Sequence, residues 1–153
     1  MGLDMYLYRR RYVQAWDHQS PDKRPSVTLT IGGEEIPLIN PSYIIEQVGY
    51  WRKANQIHAW FVRHCQNGVD ECQESSVDLE QLAGLLQICI ELDKSHDAKR
   101  AMELLPPQPG FFFGSTDIDE WYWEDIAETV RILTPIVANP ELNIEGLTYQ
   151  SSW

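Results

Sequence analysis

The group of side chains best suited to binding or chemistry lies near the middle of the chain. Trp51, Asn55 and His58 recur at helical spacing, and Arg52 and Lys53 lie beside that stripe. An indole, an amide, an imidazole and a guanidinium on one helix face can bind an anionic or aromatic ligand such as a nucleotide. The pattern therefore predicts a ligand-binding face. The alternative is that the two cations are solvated and that His58 is a half-buried, hydrogen-bonded histidine.

A second candidate segment is the run of three phenylalanines followed by Gly114-Ser115-Thr116. Phe112 and Phe113 offer stacking surface, and Ser115 at a helix N-terminus can bind a phosphate or carboxylate. Acidic side chains crowd the same helix end and would repel an anion: Asp117, Asp119 and Glu120. Ordinary capping of that helix by Thr116 or Asp117 is therefore the alternative.

Motifs for catalysis or for metal binding are missing from the sequence. His64, Cys65 and Cys72 lack the paired spacing of a structural zinc site. There is no nucleophile elbow, no Walker loop and no dinucleotide fingerprint. The acidic pairs Asp117/Asp119 and Glu124/Asp125 are common at helix starts. We predict no metal, no cofactor and no catalytic residue; an enzyme alternative would use His58 as acid or base opposite Asp119.

The elements that must position these residues alternate between strand and helix patterns. Residues 3–8 alternate as a strand does, and two β-rich runs flank Gly32-Gly33 as in a hairpin. From Pro41 we expect helix, with a core stripe that consists of Tyr50, Ala54, Ile57, Phe61 and Cys65.

Further helices are predicted after Asp78, over residues 97–105 and after Thr116, while residues 111–113 and 147–153 are predicted as strands. The fold class is α+β: a small, mostly antiparallel sheet of N-terminal strand, Gly-Gly hairpin and C-terminal strand, covered by three to four helices. Residues 1–153 are expected to form a single domain.

The net charge of −11 is unevenly distributed along the chain. Residues 1–64 hold eight Lys and Arg against six Asp and Glu, a net of +2, whereas residues 65–153 hold four against seventeen, a net of −13. Direct nucleic-acid binding is disfavoured because phosphates require cationic partners. The acidic half is either a solvated surface or a face that docks on a basic host protein, or mimics DNA.

The cellular compartment is predicted from three features of the sequence: its apolar runs, its N-terminal residues and its cysteines. No apolar run reaches the roughly 20 residues of a membrane span, and the N-terminus has no signal-peptide pattern. Three cysteines without a framework spacing fit a reducing compartment. We expect a cytoplasmic protein with no membrane partner, and homo-oligomerisation remains open.

Four phrases carry a resemblance: MGLDMYL at the start, VGYWRKANQIH, GFFFGST, and YQSSW at the end. Together they resemble a family of small, mostly uncharacterised proteins of tailed phages, prophages and some bacteria, over nearly the whole chain. The resemblance implies a phage or mobile-element origin and brings no catalytic residues. Small accessory proteins of that origin often act on the host.

The function predicted from these observations is non-catalytic binding that counters host defence or metabolism. The partner is an anionic, nucleotide-like small molecule or a host protein. Trp51, Phe112 and Phe113 would stack against the ligand, and the polar contacts would come from Arg52, Lys53, Asn55, His58 and Ser115. A small enzyme acting on a nucleotide and an acidic, DNA-mimic-like inhibitor of a host nuclease are the alternatives.

Overall fold

A computed structural model describes residues 2–153 and confirms the α+β class. Met1, which opens the first phrase of the resemblance, lies outside the described residues. The strands are β1 (Asp4–Tyr12), β2 (Leu29–Ile31), β3 (Glu34–Ile36), β4 (Tyr43–Arg52), β5 (Ser75–Val77) and β6 (Leu147–Ser152). The helices are α1 (Asn55–Cys65), α2 (Leu79–Ser95), α3 (Ala98–Leu104) and α4 (Glu120–Ala138), with 3-10 turns at Pro21–Lys23 and Pro140–Asn143.

The main sheet is antiparallel, with the strand order β4-β1-β6-β5. The predicted pairing of the N-terminal strand with the C-terminal strand is confirmed: Met5 lies opposite Ser151 and Leu7 opposite Tyr149. The hairpin is confirmed as a hairpin, but β2 and β3 pair only with each other and form a separate two-stranded sheet. The hairpin was expected beside β1, but the strand that pairs with β1 at this edge is β4.

The largest error of the sequence prediction is the helix expected from Pro41. Residues 43–52 form β4, because this stretch is rich in β-branched and aromatic residues, which favour a strand. Tyr50 points outward and is exposed, while Trp51 points inward. The helix starts only at Asn55, with Ala54 as its N-cap residue. Ala54, Ile57 and Phe61 are fully buried, as the stripe predicted.

Two further predictions near the candidate site are wrong. Residues 111–113 are a turn instead of a strand, with Phe112 in the left-handed region at φ 69°. Helix α4 begins at Glu120 and is capped by Asp119, whose side chain accepts from the Tyr122 backbone N–H, so neither Thr116 nor Asp117 caps it. The amide of Asp117 donates instead to the Ser115 hydroxyl in a local turn.

One hydrophobic cluster joins the inner face of the sheet to the helices. Leu3, Met5 and Leu7 of β1 are fully buried. At its centre the ring of Phe61 in α1 stacks on the ring of Tyr149 in β6, with centroids 4.0 Å apart and planes 6° apart. No helix among residues 2–153 has the length and apolar character that crossing a membrane requires.

We predict that Phe61→Ala lowers the free energy of unfolding by about 3–5 kcal/mol, because it leaves a cavity where a fully buried ring was stacked. Urea denaturation measures the change. Phe111→Ala, which removes a ring that is 79% exposed, is the control and should change stability by less than about 0.5 kcal/mol. A loss below about 1 kcal/mol for Phe61→Ala would contradict this packing.

Candidate functional site

The junction between β4 and α1 is a tight turn that places two cations side by side. Arg52 ends the strand, and Lys53 adopts a left-handed backbone with φ 58°. The Lys53 amide donates to the Leu3 carbonyl at 2.8 Å, which ties the turn to the start of β1. Left-handed geometry is unfavourable for a residue with a Cβ, so the surrounding structure must hold Lys53 in it.

Asn55, the first residue of α1, holds the opposite loop in place. Its amide nitrogen donates to the carbonyls of Phe113 at 3.0 Å and Ser115 at 2.8 Å, and its amide oxygen accepts from the Gln108 backbone N–H at 2.9 Å. The side chain is buried, with all of these partners in residues 108–115. Asn55 therefore shapes the site by fixing its loop.

The loop itself approaches the β4–α1 turn closely. Gly114 has φ 91°, and a Cβ at this position would lie 3.3 Å from the Cβ of Lys53. The carbonyl of Phe112 accepts from the Leu3 amide at 3.4 Å. A glycine here meets both demands, since it tolerates the positive φ and has no side chain to clash.

A cavity of about 360 Å³ lies between this turn, the loop and the start of α4. Four of the predicted site residues line it: Arg52, Lys53, Asn55 and Ser115. The other lining residues are Gln56, Gly114, Asp117, Asp119, Trp121, Tyr122 and Asp125. Its volume falls within the size range of small-molecule sites.

The two cations of the cavity are close together, with Asp4 opposite Arg52 on the neighbouring strand. The Cε of Lys53 and the Nη2 of Arg52 lie 3.2 and 3.8 Å from the position that a Cβ would take on Gly2. Among residues 2–153, neither forms a salt bridge. In a chain with 23 acids against 12 lysines and arginines, two adjacent unpaired cations beside a cavity are an available anion site.

The opposite side of the cavity is polar and acidic: Asp117 and Asp119, which the sequence indicated, line it together with Gln56, which the sequence did not indicate. Gln56 is only 2% exposed, and its amide nitrogen donates to the Tyr122 carbonyl at 3.5 Å and to Asp125 Oδ2 at 3.3 Å. Burial raises the pKa of Asp125 to about 7, the hydrogen bond from Gln56 lowers it, and the charges of Glu124 and Asp119 raise it. The cavity is therefore mixed in charge, and not the uniformly positive spot that we expected.

Trp121 is the aromatic residue that the sequence prediction missed. It lies in the first turn of α4, is 70% exposed and lines the cavity. The sequence did not indicate Trp121 because the acidic residues around it predicted only the capping of a helix. An exposed indole beside a cavity is a stacking surface.

Trp51, which we expected to contact a ligand, is part of the core. Its indole N–H donates to the Thr129 hydroxyl at 2.9 Å, and its ring packs against that of Phe61. The error follows from the helix prediction, because a strand turns alternate residues to opposite faces. Trp51 therefore points to the core while Arg52 points away from it.

His58 is also separated from the cavity. Its ring is buried, with Nδ1 2.7 Å from the Tyr149 hydroxyl and Nε2 2.8 Å from Asp70 Oδ2. A carboxylate only accepts, so Nε2 carries the hydrogen and Nδ1 accepts from Tyr149. Burial lowers the pKa of His58, although Asp70 opposes that shift, so the ring is neutral near pH 7.

Phe112 and Phe113 do not face the first cavity. Phe112 is 40% exposed and packs edge-on against Phe111, and Phe113 is buried in edge-to-face contact with His58. Phe113, His58 and Asp70 line a second cavity of about 300 Å³ on another side of α1. The pairing of His58 with a carboxylate thus exists, but with Asp70 and apart from Asp119.

Within residues 2–153, no group of three or more His, Cys, Asp or Glu side chains is placed to hold a metal ion. The three cysteines are free thiols, as predicted. Burial raises the pKa of Cys65 to about 11 and that of Cys89 still further, so both remain protonated near neutral pH.

We predict that Asp125→Asn becomes more stable relative to the unaltered protein as the pH rises from 5 to 8. The pKa of Asp125 is about 7 in the folded protein and about 4 in the unfolded chain, so its favourable contribution is present below about pH 4 and lost as the pH rises through 7. The carboxyl is only partly buried, so we expect a change of about 1 kcal/mol, or about 2–4 °C in Tm.

Thermal unfolding at several pH values measures this difference. Asp22→Asn, an exposed acid in the first 3-10 turn, is the control and should show a constant difference over the same range. An equally constant difference for Asp125→Asn would show that the carboxyl has an ordinary pKa.

Comparison with known proteins finds no match to any family model, curated protein or solved structure.

Proposed function

We propose that this protein is a non-catalytic binding protein that captures a small, anionic, nucleotide-like molecule in the cavity between β4, α1 and α4. The resemblance described above implies a phage or mobile-element origin, and such capture in the host cytoplasm would counter host defence or metabolism. The observation that carries the proposal is the pair of unpaired cations, Arg52 and Lys53, at a cavity that also offers an exposed indole.

The phosphate and the base of a nucleotide each have a matching group in the cavity. A phosphate fits Arg52 and Lys53, because charge-assisted hydrogen bonds to a guanidinium and an ammonium are strong. A base fits beside Trp121, since every base has a face that stacks on an aromatic ring. Asp117 and Asp125 oppose a ligand that is anionic throughout, so a free phosphate fits less well than a molecule with one anionic end.

Backbone strain supports a ligand role for Lys53. A glycine would adopt its left-handed conformation without cost, yet the chain has a lysine there. Strained positions cluster at functional sites, where the side chain is needed at that place. Phe112 and Gly114, across the cavity loop, also have positive φ.

The pair offered as an example for the enzyme alternative, His58 with Asp119, does not form, although His58 does hydrogen-bond another carboxylate, Asp70, at the second cavity. His58 and Asp119 line different cavities, and Asp119 is engaged in capping α4. Both ring nitrogens of His58 hydrogen-bond within the protein, so the imidazole has no free position for a substrate proton.

The direct test is to purify the protein from infected cells, denature it and identify the released small molecules by mass spectrometry. We expect a phosphate-bearing, nucleotide-like molecule that is absent from a parallel preparation of Arg52→Ala. If the protein carries no small molecule and binds no nucleoside monophosphate in a titration, the proposal is wrong, and docking of the acidic half on a host protein becomes the better explanation.

We predict that Arg52→Ala weakens binding of the captured molecule by about 1.5–3 kcal/mol, as expected for a lost charged hydrogen bond. The Tm should change little because Arg52 is exposed and forms no salt bridge in the described chain. Calorimetric titration measures the affinity. Lys99→Ala, which removes the same charge from the exposed start of α3, should bind as the unaltered protein does.

We also predict that Lys53→Gly leaves stability unchanged or raises it by up to about 1 kcal/mol, because glycine relieves the left-handed strain. Binding should weaken about as much as in Arg52→Ala, since the ammonium is lost. Lys53→Ala is the matched variant: it loses the same charge but keeps the strained Cβ, so it should gain no stability. Equal affinity in all three proteins would exclude Lys53 from the site.

A further inference from the structure

Where α1 meets α4, the cavity presents two hydrogen-bond acceptors, on Gln56 and Asp125. Gln56 lies at its base, 2% exposed, where α1 meets α4. The orientation of its amide is determined by its neighbours: a backbone carbonyl and a carboxylate both accept, so the amide nitrogen must point at them. The amide oxygen accepts no hydrogen bond from residues 2–153, and it remains available to a ligand.

Asp125 adds a second acceptor beside it. Its Oδ2 takes the hydrogen bond from Gln56, no cation of the described chain pairs with it, and it lines the same cavity. A carboxylate oxygen and an amide oxygen each have two lone pairs, so Asp125 Oδ2 can accept a further hydrogen bond besides the one from Gln56, and the Gln56 oxygen can accept two. A ligand at the cavity can therefore supply N–H donors to both oxygens.

Trp121 limits the shape of such a ligand. The indole is exposed at the cavity beside these acceptors, so a planar ring stacked on it can direct a substituent toward the interior. An amino group on that ring has two hydrogens, which is the number that two neighbouring acceptors require. A ring carbonyl at the same place would face two acceptors and be repelled.

We propose that the cavity selects nucleotides whose base carries an amino group, and that the Gln56 amide oxygen and the Asp125 carboxylate accept hydrogen bonds from it. This inference rests on the proposed function, because Arg52 and Lys53 bind the phosphate of the same molecule. The ligand class is an amino-bearing nucleotide of the adenine or cytosine type. The corresponding keto bases, hypoxanthine and uracil, are rejected.

The test uses two pairs of ligands that differ at one position of the ring. The full chain is titrated by calorimetry with adenosine and inosine monophosphate, and with cytidine and uridine monophosphate, at pH 8, where Asp125 is a carboxylate. We expect the amino member of at least one pair to bind about 10-fold or more tightly than its keto partner. Asp125→Asn, whose side-chain amide can turn to donate as well as accept, should reduce that ratio to about 3-fold or less while it stays folded.

The possible results separate this inference from the function on which it depends. If all four nucleotides bind with equal affinity and Arg52→Ala weakens them all, the proposed function stands and the selection for an amino group is wrong. If the keto members bind more tightly, or if Asp125→Asn keeps the full ratio, the assignment of Gln56 and Asp125 is overturned. If no nucleotide binds at about 1 mM, both proposals fall.

Discussion

The first turn of α1 buries three polar side chains, and the site is arranged around the need to satisfy them. Asn55, Gln56 and His58 are each no more than 2% exposed, and buried polar groups are costly unless they are hydrogen-bonded. Asn55 takes its partners from residues 108–115, Gln56 from α4, and His58 from Tyr149 and Asp70. One helical turn thus positions the loop, the last helix and the C-terminal strand. Of these three side chains, only Gln56 has an amide oxygen that accepts no hydrogen bond from residues 2–153.

This arrangement divides the surface of α1 between two cavities. Gln56 and Asn55 face the one that also holds Arg52 and Lys53, whereas His58 lies against Phe113 and the second cavity. Asp70 closes the second side, where it accepts hydrogen bonds from His58 and from the Trp153 indole at 2.9 Å. The two networks differ in one respect: both ring nitrogens of His58 have protein partners, whereas Arg52 and Lys53 form no salt bridge within residues 2–153. A ligand gains more by binding to these two cations.

The sequence predicted correctly the elements that follow from local residue spacing. It predicted poorly which side of an element each residue faces. The stripe from Ala54 to Phe61, the helix after Asp78 and the pairing of the two terminal strands followed from spacing. The helix predicted for residues 43–52 is wrong because Tyr50 continues the helical spacing of the α1 stripe. That spacing assigned the neighbouring Trp51 to the ligand face. Gln56 and Asp125 were not foreseen because their role depends on a contact across 69 residues of chain, which periodicity does not encode. Arg52, Lys53, Asn55 and Ser115 line one cavity because Asn55 follows the two cations in the chain and binds the Ser115 carbonyl across it.

Four segments of the described chain meet in space, namely residues 2–7, 48–58, 110–116 and 149–153. Leu3 of the first accepts from Lys53 of the second through its carbonyl and donates to Phe112 of the third. His58 and Phe113 then reach the fourth, through the Tyr149 hydroxyl and an edge-to-face contact with Trp153. The two contacts of Leu3 join backbone groups, whereas the His58–Tyr149 contact joins buried side chains, so removal of either of these two side chains leaves a buried polar group without its partner. The buried hydrogen bond between His58 and Tyr149 lies at this junction. Beside it are Lys53, with its left-handed backbone, and Arg52, which forms no salt bridge within residues 2–153. Glycine would adopt the left-handed backbone at position 53 without cost, so the lysine there is consistent with the ligand role proposed for its ammonium.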